Sequence, residues 1–150
     1  MQPDSTFLAW LAGFVDGEGC ITLNRRLNAA GNPSYSAVLM IANTDRTILE
    51  HIGGTLGVGG VYAKGGDRHF PNTRPAWQWT VGGRQALEVV ALIRPYLRLK
   101  RAQADALLES GPLAIGRKGP RSEQAARYAA LRAPQEVIDA RLRELKRRRD

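Results

Sequence analysis

Leu11-Ala12-Gly13-Phe14-Val15-Asp16-Gly17-Glu18-Gly19 is the stretch on which the reading of this chain turns. It completes a segment, residues 7 to 17, that predicts a helix. Asp4 or Ser5 can cap its start, and Gly17 with Gly19 lies where helices commonly end. Phe7, Leu8, Trp10, Leu11, Phe14 and Val15 make the helix apolar almost all round, so it must be covered on every side. In a chain this small a sheet covers one side and the other needs a second partner. Gly13 and Gly17, one helical turn apart, share a face and let another backbone come close, the small-xxx-small arrangement of tight helix pairs. Two-fold pairing with a copy of itself would set two acidic ends, each carrying Asp16 and Glu18, side by side. Carboxylates so placed repel unless a hard cation sits between them, and Mg²⁺, which takes oxygen ligands and keeps several waters, suits phosphate chemistry there. On the residues alone a plainer reading stands beside this one: a buried helix closed by a Gly-rich acidic turn. An EF-hand loop is a poorer match, because the D-x-D-x-D-G ligand spacing is missing.

Outward from this segment, residues 20 to 27 alternate apolar and polar, as a half-buried strand does, and residues 34 to 42 predict a second strand. Asn28 to Pro33 is a turn by composition, so the two strands form a hairpin. Thr44 can cap a second helix carrying Ile48, Leu49, Ile52 and Leu56 at helical spacing, although Gly53 and Gly54 weaken it. Residues 58 to 64 and 76 to 81 predict another hairpin around the polar loop Gly65 to Pro75. A helix over 84 to 93 follows, then a basic amphipathic helix near 96 to 109. Beyond the Gly/Pro-rich joint Gly111 to Pro120, Ser122 can cap a helix and residues 135 to 149 predict a last one. The class is α+β in the order α-β-β-α-β-β-α: one domain over 1 to 150, with a core of about 7 to 110 and a helical extension.

The formal net charge of +8 over 150 residues calls for a polyanionic partner, nucleic acid first and an acidic membrane surface second. The longest apolar run, Phe7 to Val15, is far short of the roughly 20 residues that cross a bilayer, so no membrane partner is expected. No charged segment precedes it, which argues against a signal peptide. A lone cysteine, Cys20, rules out an internal disulfide framework and suits a reducing compartment. Location is expected to be intracellular: cytoplasm or nucleoid, or an organelle in a eukaryote. With Cys20, His51 and His69 as the only Cys and His residues, a four-ligand zinc site is not expected.

The nine residues at 11 to 19 resemble the signature of the LAGLIDADG homing endonucleases, present once, as in that family's homodimeric branch. Ile48-Leu49, Leu56-Gly57-Val58-Gly59, Trp79-Thr80-Val81 and Arg94-Pro95-Tyr96-Leu97-Arg98-Leu99-Lys100 follow in the family's order, so the resemblance spans about 7 to 110. It implies an antiparallel β-saddle backed by helices, with the motif helix pairing through Leu11, Ala12, Gly13, Asp16 and Gly17 in a homodimer. It implies a metal, Mg²⁺ or Mn²⁺, held by Glu18 and the Gly17 carbonyl; many members carry Asp where Glu18 stands. Asp16 matches a position with a structural role at the helix end. Asn43 falls where relatives place a water-positioning polar residue, and reads equally as an Asn in the turn before the second helix. Lys100 matches a lysine that neutralises charge near the cleaved phosphate, against the reading of a solvated lysine on a basic helix. The implied reaction is hydrolysis of both strands of double-stranded DNA at a long, near-palindromic intron- or intein-insertion site, leaving short 3′ overhangs.

Alternation along the strands places Ile21, Leu23, Tyr35, Ala37, Leu39 and Ile41 toward the core, with Trp77, Trp79 and Val81. The opposite face would read the major groove through Thr22, Asn24, Arg26, Ser36, Val38, Met40, Tyr62, Lys64, Arg68, Gln78 and Thr80. Each of the cations among them also reads as an ordinary solvated charge. Arg141, Arg143, Lys146, Arg147, Arg148 and Arg149 would touch phosphates or stay in solvent. Alternatives on the same fold are an intron RNA maturase, with intron RNA as partner, and a DNA-binding protein without cleavage.

Overall fold

The computed structural model describes residues 2–65, 74–110 and 121–148. Its first element, α1, runs Ser5–Glu18, and the Asp4 carboxylate accepts the Phe7 N–H at 2.8 Å as its N-cap. The chain turns straight from α1 into β1 (Gly19–Leu27). A Cβ on Gly19 would lie 2.8 Å from the Val15 carbonyl oxygen, so this helix-to-strand junction accepts only glycine without shifting. The Asn28 side chain accepts two turn N–H groups, from Ala30 and Asn32, and returns the chain as β2 (Pro33–Asn43).

Helix α2 (Arg46–Leu56) begins one residue later than Thr44 would have set it. Asp45 is its N-cap, accepting from Thr47 and Ile48, because a carboxylate is the stronger acceptor for orphan N–H groups. Strands β3 (Gly60–Lys64) and β4 (Ala76–Gly82) follow, then α3 (Gly83–Ile93). The four strands form one antiparallel sheet in the order β1-β2-β4-β3.

The expected helix near 96 to 109 is divided. A 3-10 turn covers Arg94–Tyr96, Leu97 is extended, and α4 spans only Arg101–Glu109. Pro95 starts the break, and contacts to α1 hold residues 98 to 100 out of the helix. The C-terminal expectation of two helices is also corrected: α5 is continuous from Arg121 to Arg147, through Pro134. A proline removes one backbone hydrogen bond, yet Ile138 and Leu142 beyond it are buried in the main core, and α5 packs on α4, β1 and β2.

The helices cover one face of the sheet. Ile21, Leu39, Ile41, Trp79 and Val81 from the strands meet Leu11, Val15, Leu49, Ile52, Val90, Ile93 and Leu107 from the helices. Each such side chain contributes about 1.5–3 kcal/mol by leaving water. Trp79, wholly buried, donates its indole N–H to the Val58 carbonyl at 3.2 Å. Gly59, at φ +80°, lets the backbone pass under this ring, where a Cβ would come within 2.5 Å of the indole nitrogen.

Candidate active site and nucleic-acid interface

Helix α1 has two distinct sides. Leu8, Leu11, Ala12, Val15 and Asp16, at the i, i+3, i+4 spacing of one face, are buried within the chain itself. Ala9, Trp10, Gly13 and Gly17 lie on the opposite side and are exposed, and no atom of the described residues lies within 4 Å of a Cβ built on either glycine. This corrects three members of the expected pairing face. Leu11 and Ala12 have no exposed surface, and Asp16 is buried beside them. The periodicity turns them into the chain's own core, while Gly13 and Gly17 stay uncovered.

The end of α1 is latched to the segment after the 3-10 turn. The two Asp16 carboxylate oxygens accept from the backbone N–H groups of Arg98, at 2.7 Å, and Lys100, at 2.9 Å. In return the Lys100 ammonium donates to the Val15 and Asp16 carbonyls, at 2.7 and 3.0 Å. A cation there satisfies last-turn carbonyls and opposes the negative end of the helix dipole. Burial pushes the Asp16 carboxyl up, but the N–H groups of Arg98, Lys100 and Leu99 and the Lys100 charge outweigh it. The carboxyl lies below its ordinary range.

Asp16 is thereby consumed as a structural acceptor, and Glu18 is not. Glu18 is exposed at the last position of α1 and makes no hydrogen bond or ion pair among the described residues. The latch brings Lys100 to the same helix end. Gly17, between Asp16 and Glu18, belongs to the last turn, and its carbonyl lies beyond the last helical hydrogen bond, from the Gly19 N–H to the Val15 carbonyl. A free carboxylate, a backbone carbonyl and an ammonium held close by are oxygen donors and charge of the kind a hard divalent ion and a phosphate require. Among the described residues no group of three or more His, Cys, Asp or Glu gathers into a complete metal cage.

Asn43 closes β2, which runs past the Gly19–Ile41 pair alongside the end of α1. Its side-chain oxygen accepts the Asp45 N–H at 2.8 Å, forming the turn that leads into α2. That oxygen keeps one lone pair, and the amide N–H₂ is not engaged among the described residues.

The sheet face away from the helices carries ten of the eleven residues expected to read DNA. They stand in register: Thr22 opposite Val38, Asn24 opposite Ser36, Met40 opposite Thr80, and Gln78 opposite Tyr62, with Arg26 and Lys64 toward the strand ends. Arg68 lies outside the described residues. Cys20, opposite Met40, joins the same face beyond those expected; the alternation that places Thr22 there also places Cys20. Arg46, another residue the sequence does not flag, starts α2 with its guanidinium 4.5 Å over the Trp77 ring and paired to Glu50 at 2.6 Å. Trp77, expected in the core, is accordingly only half-buried.

A four-stranded antiparallel sheet with one polar face, joined to a helix that ends in a free carboxylate beside a held lysine, defines a class of DNA-cutting proteins. The model of the LAGLIDADG endonuclease family matches residues 11–100, and the chain belongs to that family. It is a site-specific DNA endonuclease. DNA endonuclease I-CvuI of Chlorella vulgaris is 33% identical to it over 117 residues, covering 73% of this chain and 68% of the relative. The crystal structure of I-CvuI in complex with its target in the presence of Ca has a TM-score of 0.66 at 24% identity, over 95% of this chain and 94% of that one. The archaeal intron-encoded homing endonuclease I-Vdi141I, complexed with DNA, has a TM-score of 0.62 at 13% identity, over 95% of this chain and 99% of that one.

Proposed function

We propose that the chain works as a homodimer that hydrolyses both strands of a long, near-palindromic duplex at an intron- or intein-insertion site, leaving short 3′ overhangs. The observation that carries this reading is Glu18: an exposed carboxylate, unpaired among the described residues, at the end of a helix whose outer stripe, Ala9, Gly13 and Gly17, is exposed. A single chain offers one such carboxylate, so two strands need two chains, and the glycine stripe is shaped to let two helices close on each other. The relatives I-CvuI and I-Vdi141I, solved with DNA, support double-stranded DNA as the partner.

Glu18 and the Gly17 carbonyl would hold the divalent ion, Mg²⁺ or Mn²⁺; I-CvuI has been crystallised with Ca and with Mg. When bound, such an ion supplies an acidified water and positive charge for the phosphoryl oxygens. The protein's own part is positional and electrostatic. Asp16 fixes the 98 to 100 segment through two N–H groups, which holds Lys100 against α1 rather than free in solvent. An ammonium so fixed stabilises negative charge developing on a nearby phosphate without having to reorganise. Asn43 retains its amide N–H₂ for the substrate side. The polar sheet face lies in the major groove and sets the register of the cut.

Glu18→Gln keeps the length of the side chain and removes its charge. Cleavage of a selected target with Mg²⁺ falls by at least about a thousand-fold, while duplex binding in Ca²⁺ persists. Full cutting by this variant would overturn the assignment of Glu18 as the metal ligand.

A further inference from the structure

On the polar face of the sheet one side chain is locked in a single orientation. Gln78 donates from Nε2 to the Met40 sulfur at 3.3 Å and to the Thr80 hydroxyl at 3.0 Å. These three residues sit at the sheet's centre. Met40 and Thr80 are direct cross-strand partners on β2 and β4, and Gln78 lies two residues before Thr80 on the same face. A thioether sulfur carries no proton and can only accept, so the end of the carboxamide facing Met40 must be its N–H₂. Both amide protons are then engaged, and Oε1 is the end left to the groove. Because Thr80 Oγ1 already accepts from Gln78, its own proton is free to donate outward.

From this we infer that Gln78 and Thr80 together form a specificity-determining pair that selects adenine. The inference rests on the proposed docking of this face in the major groove. The pair presents an acceptor, Gln78 Oε1, beside a donor, the Thr80 hydroxyl. Adenine offers the complement on its major-groove edge, an N6 amino donor beside the N7 acceptor. Guanine sets O6 against the amide oxygen, acceptor against acceptor, and thymine O4 does the same. Cytosine provides the amino donor alone, so it ranks second. Glutamine commonly reads adenine by itself, with Nε2 on N7 and Oε1 on N6. Here Nε2 is spent on Met40 and Thr80, and Thr80 takes over the N7 contact.

The test uses a pool of palindromic duplexes randomised in each half-site, retained by the full chain in Ca²⁺ and separately cut in Mg²⁺. Comparison of wild type with Gln78→Ala identifies the position whose preference relaxes. At that position wild type favours adenine over guanine and thymine by roughly ten-fold or more, with cytosine between. Gln78→Lys, which can only donate, turns the preference to guanine. Thr80→Val lowers adenine toward cytosine, because the N7 donor is gone. Met40→Leu, close to isosteric, releases one amide proton and raises the tolerance of guanine. Retained duplexes with guanine or thymine preferred by wild type, or with no change in Thr80→Val, overturn the inference and leave the nuclease reading standing. Duplexes retained but never cut overturn the cleavage reading alone. No retained duplex at all overturns DNA recognition and this pair with it.

Discussion

Asp16 shows how much one carboxylate can be asked to do. It stands inside the signature segment, so the sequence marks it as acidic and close to the chemistry, yet both its oxygens already accept backbone N–H groups. Its partners are the N–H groups of Arg98 and Lys100, more than eighty residues away, and no local pattern announces that pairing. Glu18 and Lys100 are legible because each occupies a recognisable motif position; the latch that holds Lys100 is not. The carboxyl is held below its ordinary value of about 3.9, so the folded state prefers it ionised. Its contribution is therefore fully present above about pH 4 and is lost as the pH falls through the lower folded value. Asp16→Asn turns an N–H₂ toward one of the backbone donors and should lower stability at pH 7 by about 1–3 kcal/mol. Urea unfolding followed as a function of pH checks this: the gap between the two proteins narrows below about pH 4. Equal acid sensitivity in both would show that the latch does not carry the pH dependence.

At the scale of elements, α1 combines a covered side and a bare one. A Cβ on Gly13 meets nothing within 4 Å among the described residues, so a larger side chain there is tolerated by the single chain and obstructs only a second helix laid across it. Gly13→Leu is expected to leave the circular dichroism spectrum unchanged and to shift the sedimenting species from dimer to monomer. A variant that remains a dimer of unchanged stability would place the interface elsewhere. Element order and faces are readable in the sequence, since alternation from Ile21 to Leu23 and from Ala37 to Ile41 reports one buried face directly. Expectation and structure part where tertiary contacts outweigh local propensity. Asp45 takes the cap from Thr44, the Asp16 latch keeps residues 98 to 100 out of a helix, and core contacts by Ile138 and Leu142 carry α5 through Pro134. A helix that is apolar all round also does not reveal from its composition which half the chain itself will cover. Leu11 and Ala12, expected on the pairing face, therefore turn inward instead.

Over the whole molecule, the charge of +8 is not spread evenly in its function. Arg141 pairs with Glu109, Arg143 with Asp139 and Arg148 with Glu144, so part of the basic C-terminal helix is balanced internally. Arg26 and Lys64 are exposed and in no ion pair among the described residues. Duplex affinity should fall steeply with salt, and the paired change of Arg26 and Lys64 to Ala should reduce the log–log slope by about 0.9 for each phosphate that a chain no longer neutralises. Binding measured between about 50 and 200 mM salt tests it; an unchanged slope removes both residues from the backbone contacts. The strand order has a consequence for solubility as well. With β1 and β3 at the margins of the sheet, each has one row of peptide groups without a neighbouring strand among the described residues, the kind of template on which chains stack into aggregates. Arg25 and Arg26 on one margin and Lys64 on the other make two such margins repel. The same cations that draw the protein to a polyanion therefore keep its copies from knitting together in its absence.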